Sequence, residues 1–206
     1  MQATLNIATN TPTISEEDAH RIACDYVATL INPAYKVPGR AYLDTRAFER
    51  QVWRFIIYCA DCANCADGLL DALEVDAQTG AVIPLSDDKI RLIHERAMIY
   101  AAEQRGVLPF NAQGYVVGEY ARRQADRYVE DAIAPFFKAV EPLFIPHYLP
   151  RWQVKIVTIF FRNDPLGAMN VDATTGEPIP LTKQQLDQVR ERVRAFLASQ
   201  EQPVAA

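Results

Sequence analysis

Cys59, Cys62 and Cys65 stand two residues apart in the stretch Tyr58–Gly68, YCADCANCADG, and no other residues of the chain are as suited to chemistry. Thiolates are soft ligands, and this spacing lets neighbouring ones turn toward a single ion, either Zn²⁺ or an iron–sulfur centre. A closed tetrahedral zinc site needs a fourth ligand, for which the candidates are Cys24, a histidine, Asp61 or a residue of another chain. A bacterial ferredoxin run would put a cysteine at position 69 and a proline at 70. Leu69 and Leu70 stand there instead. A second chemistry is a reversible disulfide, Cys59 with Cys62 or Cys62 with Cys65, although the strand-to-helix setting that activates such thiols is missing. The third reading is a polar hairpin loop whose cysteines share no role.

The remaining candidates read as structural. Glu16, Glu17 and Asp18 fall in the first turn of a helix, where negative charge complements the macrodipole. His20 and His94 are expected on solvated helix faces, and His147 as a packed or edge residue in FIPHYLPR. Cys24 is expected near solvent. No nucleophile elbow, phosphate-binding glycine loop or dinucleotide fingerprint is present. The reading is therefore non-catalytic, although catalytic groups assemble in space and a motif search leaves an enzyme open.

The elements that must position these residues occur twice. Leu70–Leu85, LDALEVDAQTGAVIPL, lies over Leu166–Leu181, LGAMNVDATTGEPIPL, with ten of sixteen positions identical. Ala19–Val27 lies over Ala121–Val129 with five of nine identical, and Trp53 lies over Trp152. Matches in one order with offsets drifting only from 102 to 96 are what a duplication produces. Trp53 to Leu70 is seventeen steps and Trp152 to Leu166 fourteen, so the cysteine-bearing hairpin is about one turn longer than its counterpart.

Each copy reads as helix, strands, helix. Ser15 opens the first helix, with Ala19, Ala23 and Val27 on its apolar face; Ala121, Ala125 and Val129 repeat that face. Trp53, Phe55 and Ile57 alternate inward, as do Trp152, Val154 and Ile156, and both tryptophans are expected to be buried. Asp76-Ala-Gln-Thr-Gly80 and Asp172-Ala-Thr-Thr-Gly176 are turns, and Ser86 and Thr182 cap a final helix in each copy. The expected fold class is α+β, two repeated modules each with an antiparallel sheet packed against helices. The expected organisation is a flexible N-terminus over 1–12, a first module over 13–105, a hinge over 106–114, a second module over 115–199 and a flexible tail over 200–206.

A net charge of −5 offers no basic footprint for nucleic acid and no attraction to anionic membranes. No apolar run approaches the roughly 18 residues needed to cross a bilayer. Met1–Thr13 has neither the basic start nor the apolar core of a signal peptide, so the expected compartment is cytoplasmic.

A helix with Ala-x-x-x-Ala, a Trp-led strand, a hairpin and a Val-Asp-Ala-x-Thr-Gly turn resembles the PepSY family. The matching residues are Ala19, Ala23, Trp53 and Val75–Gly80, then Ala121, Ala125, Trp152 and Val171–Gly176. The resemblance implies a module that binds or restrains partner proteins, often peptidases and usually outside the cytoplasm. It carries over no functional residue. The expected function is a non-catalytic protein- or ligand-binding module with an unknown protein or peptide partner and scope for homo-oligomers. The alternative is a metal-binding protein, with zinc as the candidate ion, or a thiol-redox protein, using Cys59, Cys62 and Cys65.

Overall fold

Ser15 stops the chain from entering its first helix one residue early. Its hydroxyl accepts from the Asp18 backbone N–H at 3.1 Å, satisfying one of the free amides of α1, Glu16–Tyr26. The helix continues through a π-helical turn, Val27–Ile31. The computed structural model describes residues 11–44, 50–59, 68–159 and 165–200, with the side chains of 196, 197, 199 and 200 left aside. Over these residues the protein is α+β, with four α-helices and two antiparallel sheets. It forms two units, Met1–Ala97 and Met98–Ala206. No helix among the described residues is long and apolar enough to cross a membrane.

In the first unit β3, Val52–Cys59, pairs with β4, Leu69–Asp76, which pairs with β5, Val82–Ile83. On its other side β3 takes two short strands, β1 at Tyr35–Lys36 and β2 at Tyr42–Asp44. Ala19, Ala23 and Val27 of the first helical segment pack on Phe55, Ile57, Leu73 and Val75, all at most 1% exposed. Alanine at four-residue spacing lets helix and sheet approach closely. Ile93 and Ala97 of α2, Asp87–Gln104, complete this core.

The second unit has α3, Gly118–Ala132, over β6, Phe137–Ile145, β7, Arg151–Thr158, β8, Gly167–Asp172, and β9, Pro178–Ile179, paired in chain order. Its core joins Ala121, Ala125 and Val129 to Val154, Ile156, Met169 and Val171, with Val189 of α4, Lys183–Gln200. Thr182 and Gln185 form the expected capping box before α4: the Thr182 N–H donates to the Gln185 side chain at 2.8 Å, and the Gln185 N–H donates to the Thr182 hydroxyl at 3.3 Å.

The same hydrogen bonds recur at matched positions in the two units. The Trp53 indole N–H donates to the Ile14 carbonyl at 3.0 Å, and that of Trp152 to the Val116 carbonyl at 2.9 Å. The Tyr26 hydroxyl accepts from the Leu85 N–H, and the Tyr128 hydroxyl from the Leu181 N–H. Arg96 donates to the Leu70 carbonyl and Arg192 to the Leu166 carbonyl, tying each last helix to its sheet. The Glu-Arg pairs at 95–96 and 191–192 thus each contribute a helix-to-sheet tie.

Both Asp turns close alike. Asp76 accepts from the Gln78 and Thr79 backbone N–H groups and the Thr79 hydroxyl. Asp172 accepts from the Thr174 and Thr175 N–H groups and the Thr174 hydroxyl. Gly80 and Gly176 then sit at φ +72° and +73°, a region L side chains rarely adopt. At Gly176 a Cβ would also lie 2.7 Å from the Tyr120 ring.

Two expectations change here. Trp53 and Trp152 are half-buried, since each lies toward one end of its strand, with its indole nitrogen turned to the backbone that precedes the first helix of its unit. An edge strand also precedes each tryptophan strand, split into β1 and β2 in the first unit and continuous as β6 in the second.

Candidate functional site

Cys59 is the last residue of β3, half-buried and packed against the first core. Tyr35 of β1 is its register partner, so the two side chains share the helix-covered face. The Tyr35 hydroxyl meets the Nδ1 of His94, on α2, at 2.9 Å, with the two rings 5.8 Å apart between centroids. Burial raises the Tyr35 phenol above its ordinary pKa, and the neighbouring Cys59 adds to that. His94 is therefore not the solvated residue expected: it is half-buried and held by Tyr35. Cys62 and Cys65 lie outside the described residues. Among those described, no three His, Cys, Asp or Glu side chains come together as a metal cage.

The second cysteine neighbourhood is structural. His20 Nε2 lies 2.8 Å from the Val37 carbonyl, a contact that makes it the protonated nitrogen, and the Cys24 sulfur lies 3.4 Å from the same nitrogen. A nitrogen donating to a carbonyl cannot take a proton from a thiol. Burial, then the charge of Asp25, pushes the Cys24 thiol above its ordinary pKa, so it is the unreactive form. Cys24 and His20 are not a nucleophile–base pair. The His20 ring also packs 5.8 Å from that of Phe55, which accounts for its partial burial.

The second unit repeats this tie with different residues. Arg122 donates to the Ala139 carbonyl at 3.3 Å, and the Ala139 N–H donates to Asp126 at 2.6 Å. Arg122 also grips the buried Glu119 through two hydrogen bonds, at 2.7 and 3.0 Å. Helix side chains thus occupy both backbone groups of Ala139 at the outer edge of β6, where another strand would otherwise dock.

Farther along β6 that protection ends. The register slips between Val140 and Leu143, and Glu141 takes a positive φ of 49°. Beyond this bulge, residues 142–150, PLFIPHYLP, carry no charge. Leu143 is 61% exposed, Tyr148 83% and Leu149 60%. His147 is exposed here beside Tyr148, rather than packed, because it falls in the turn connecting β6 to β7. Phe144 closes the base of the hairpin, its ring 5.0 Å from Tyr115 and 5.1 Å from Trp152. The described part of the corresponding edge strand in the first unit ends in Asp44, which pairs with Arg54.

No protein-family model matches the chain, and no curated protein is similar to it. Among solved structures, the chain is similar to the Bacillus megaterium YpeB C-terminal domain at 10% identity. The match covers 84% of this chain and 64% of that one, with a TM-score of 0.24, so the chain spans less than two thirds of that domain's length. A superposition of that quality says nothing of function.

Proposed function

We propose that the chain is a tandem duplication of a PepSY-like module and acts as a non-catalytic binding protein in the cytoplasm. The duplication is supported by the hydrogen bonds that recur at matched positions, from the tryptophan indoles to the Asp turns. The observation that carries the binding role is the uncharged hairpin of the second unit. Its exposed Leu143 lies on β6, the edge strand of its sheet, and the exposed Tyr148 and Leu149 lie in the turn that follows. Exposed apolar patches of this kind mark interaction sites, and an open edge favours a partner that adds a strand. The partner is an extended, apolar segment of another protein. It pairs with the edge beyond the bulge and covers the tip.

A random-peptide display selection against the full chain tests this. The expected binders are extended sequences rich in apolar and β-branched residues. Their binding drops at least about tenfold when Leu143 and Tyr148 are changed to Asp, since desolvating two charges at an apolar contact costs well over 1.4 kcal/mol. Both side chains are exposed, so the variant keeps its fold. A selection that yields no saturable binder, or binders indifferent to the double variant, removes this reading.

A second reading concerns the first unit alone: Cys59, Cys62 and Cys65 hold a Zn²⁺ ion. It is favoured by the position of Cys59 at the root of the longer hairpin, beside Tyr35 and on the helix-covered face. The two readings are compatible, because a duplicated module can keep its core while one loop of one copy acquires a role.

A further inference from the structure

We propose that the first unit binds a small zwitterion, an aliphatic α-amino acid, in a cleft between its sheet and the first turn of α2. This goes beyond the hairpin reading, since it concerns the other unit and a small molecule rather than a partner chain.

Three observations lead to it. The first is the size and lining of the cleft. Its volume is about 300 Å³, at the small end of the roughly 300–1,000 Å³ typical of ligand sites. Ile83, Pro84 and Leu85 supply apolar lining, and Tyr42, Arg54, Asp71, Glu74 and Lys89 polar lining. Two cations and two carboxylates make that lining neutral overall, which favours a ligand carrying one charge of each sign over a net anion or cation.

The second is which polar atoms are already engaged. Arg54 donates to the Tyr42 hydroxyl at 3.0 Å and, from Nε, to Glu74 Oε1 at 2.8 Å; its other bond to Glu74 goes to the same oxygen. Asp44 also pairs with Arg54 at 3.3 Å. Arg54 is therefore occupied in holding its neighbours. Asp71 accepts from the Ala72 N–H and from Arg96. The Tyr42 hydroxyl accepts from Arg54, so its own proton is left to donate. Glu74 Oε2 and the Lys89 ammonium make no hydrogen bond or ion pair to any described residue. Glu74 takes the ligand's ammonium, Lys89 and Tyr42 take its carboxylate, and its aliphatic chain lies on Ile83, Pro84 and Leu85.

The third is an internal control. The second unit has a cleft of about 220 Å³ at the matched place, lined by Ala168, Leu181 and Gln185 where the first has Ala72, Leu85 and Lys89. Gln153 and Asn170 are register partners there, as Arg54 and Glu74 are in the first unit. The counterparts of Arg54, Asp71, Glu74 and Lys89 are thus Gln153, Gly167, Asn170 and Gln185, none of them charged. Arg192, also at the second cleft, ties α4 to the Leu166 carbonyl. The shape recurs, and the paired charges belong to one copy.

The test follows backbone amide shifts of the full chain by NMR as L-leucine, L-isoleucine or L-valine is added. The expected result with leucine is a saturable shift over residues 72–74 and 83–89, with none over 168–170 and 181–185. Isocaproate, which lacks the amine, and isoamylamine, which lacks the carboxylate, each bind at least about tenfold more weakly, as loss of one charge-assisted contact requires. Lys89→Met weakens leucine binding by a similar factor and leaves isoamylamine unchanged; Glu74→Gln weakens leucine binding and leaves isocaproate unchanged. Lys89 is exposed and Glu74→Gln keeps an oxygen for Arg54, so both variants keep the fold. Changing Leu143 and Tyr148 to Asp leaves leucine binding as it was, which separates this site from the hairpin. The proposal is overturned if none of the three amino acids gives a saturable shift, or if either half-molecule binds as tightly as leucine. It is equally overturned by variants without effect, or by equal shifts at the second cleft.

Discussion

Trp152→Ala is expected to destabilise the second unit by about 3 kcal/mol, and Trp53→Ala to do the same to the first. Each ring leads the inward set of its strand and packs against its core, although half-buried. Each indole N–H also holds the carbonyl of the residue two positions ahead of the first helix of its unit, Val116 or Ile14. Truncation therefore opens a cavity and frees the segment that leads into the helix. In the second unit the ring also meets Gly118, where a Cβ would lie only 3.1 Å from it, so α3 begins directly against the indole. Denaturant unfolding followed at backbone amides in each unit reads the two losses separately. A loss below about 1 kcal/mol at either position would mean that its ring does not bear on the core as described.

The second large effect is at Asp76. Its carboxylate is buried, accepts from three groups of its own turn and is gripped by Arg50 at 2.5 Å. Asp76→Ala leaves these donors without an acceptor and is expected to cost about 2–3 kcal/mol. Asp172→Ala is expected to cost less, about 1–2 kcal/mol, because no arginine among the described residues grips it. Arg50 first, then the Thr79 amide, hold the Asp76 carboxyl well below the usual carboxylate range. The Thr174 hydroxyl is the main cause of the lowering at Asp172. A carboxyl depressed in the folded state contributes stability that is fully present above its unfolded pKa of about 3.9 and lost as the pH falls through the folded value. The native chain should therefore lose stability progressively below about pH 4, and Asp76→Asn should flatten that decline. Equal acid sensitivity in the variant and the native chain would show that the carboxylate is not the titrating support.

Local features of the scaffold were legible in the sequence because their causes are local. Ser15, Thr182 and the two Asp-to-Gly turns carry their hydrogen-bond partners within a few residues, and spacing alone locates them. The alternating strands led by Trp53 and Trp152 read correctly for the same reason. The edge strands did not: β1 and β2 are two and three residues long, and Pro142 and the bulge interrupt the pattern of β6. Ties between distant residues were also hidden. Nothing near His20 in the sequence points to the Val37 carbonyl, and nothing near His94 points to Tyr35, 59 residues away. The matching of His94 with Arg190 suggested a solvated helix face, which hid its contact with the sheet. His147 was read from its apolar neighbours, yet those neighbours themselves lie exposed at a hairpin tip.

The proposed duplication is read most directly by the chain's two tryptophans, one in each unit. Hydrogen exchange of the two indole N–H groups, with their through-space contacts to the backbone, measures both sites in one sample. The expected result is two slowly exchanging indole protons, that of Trp53 close to Ile14 and that of Trp152 close to Val116. One indole exchanging at the rate of a free side chain, or contacting a different element from its counterpart, would contradict the duplication.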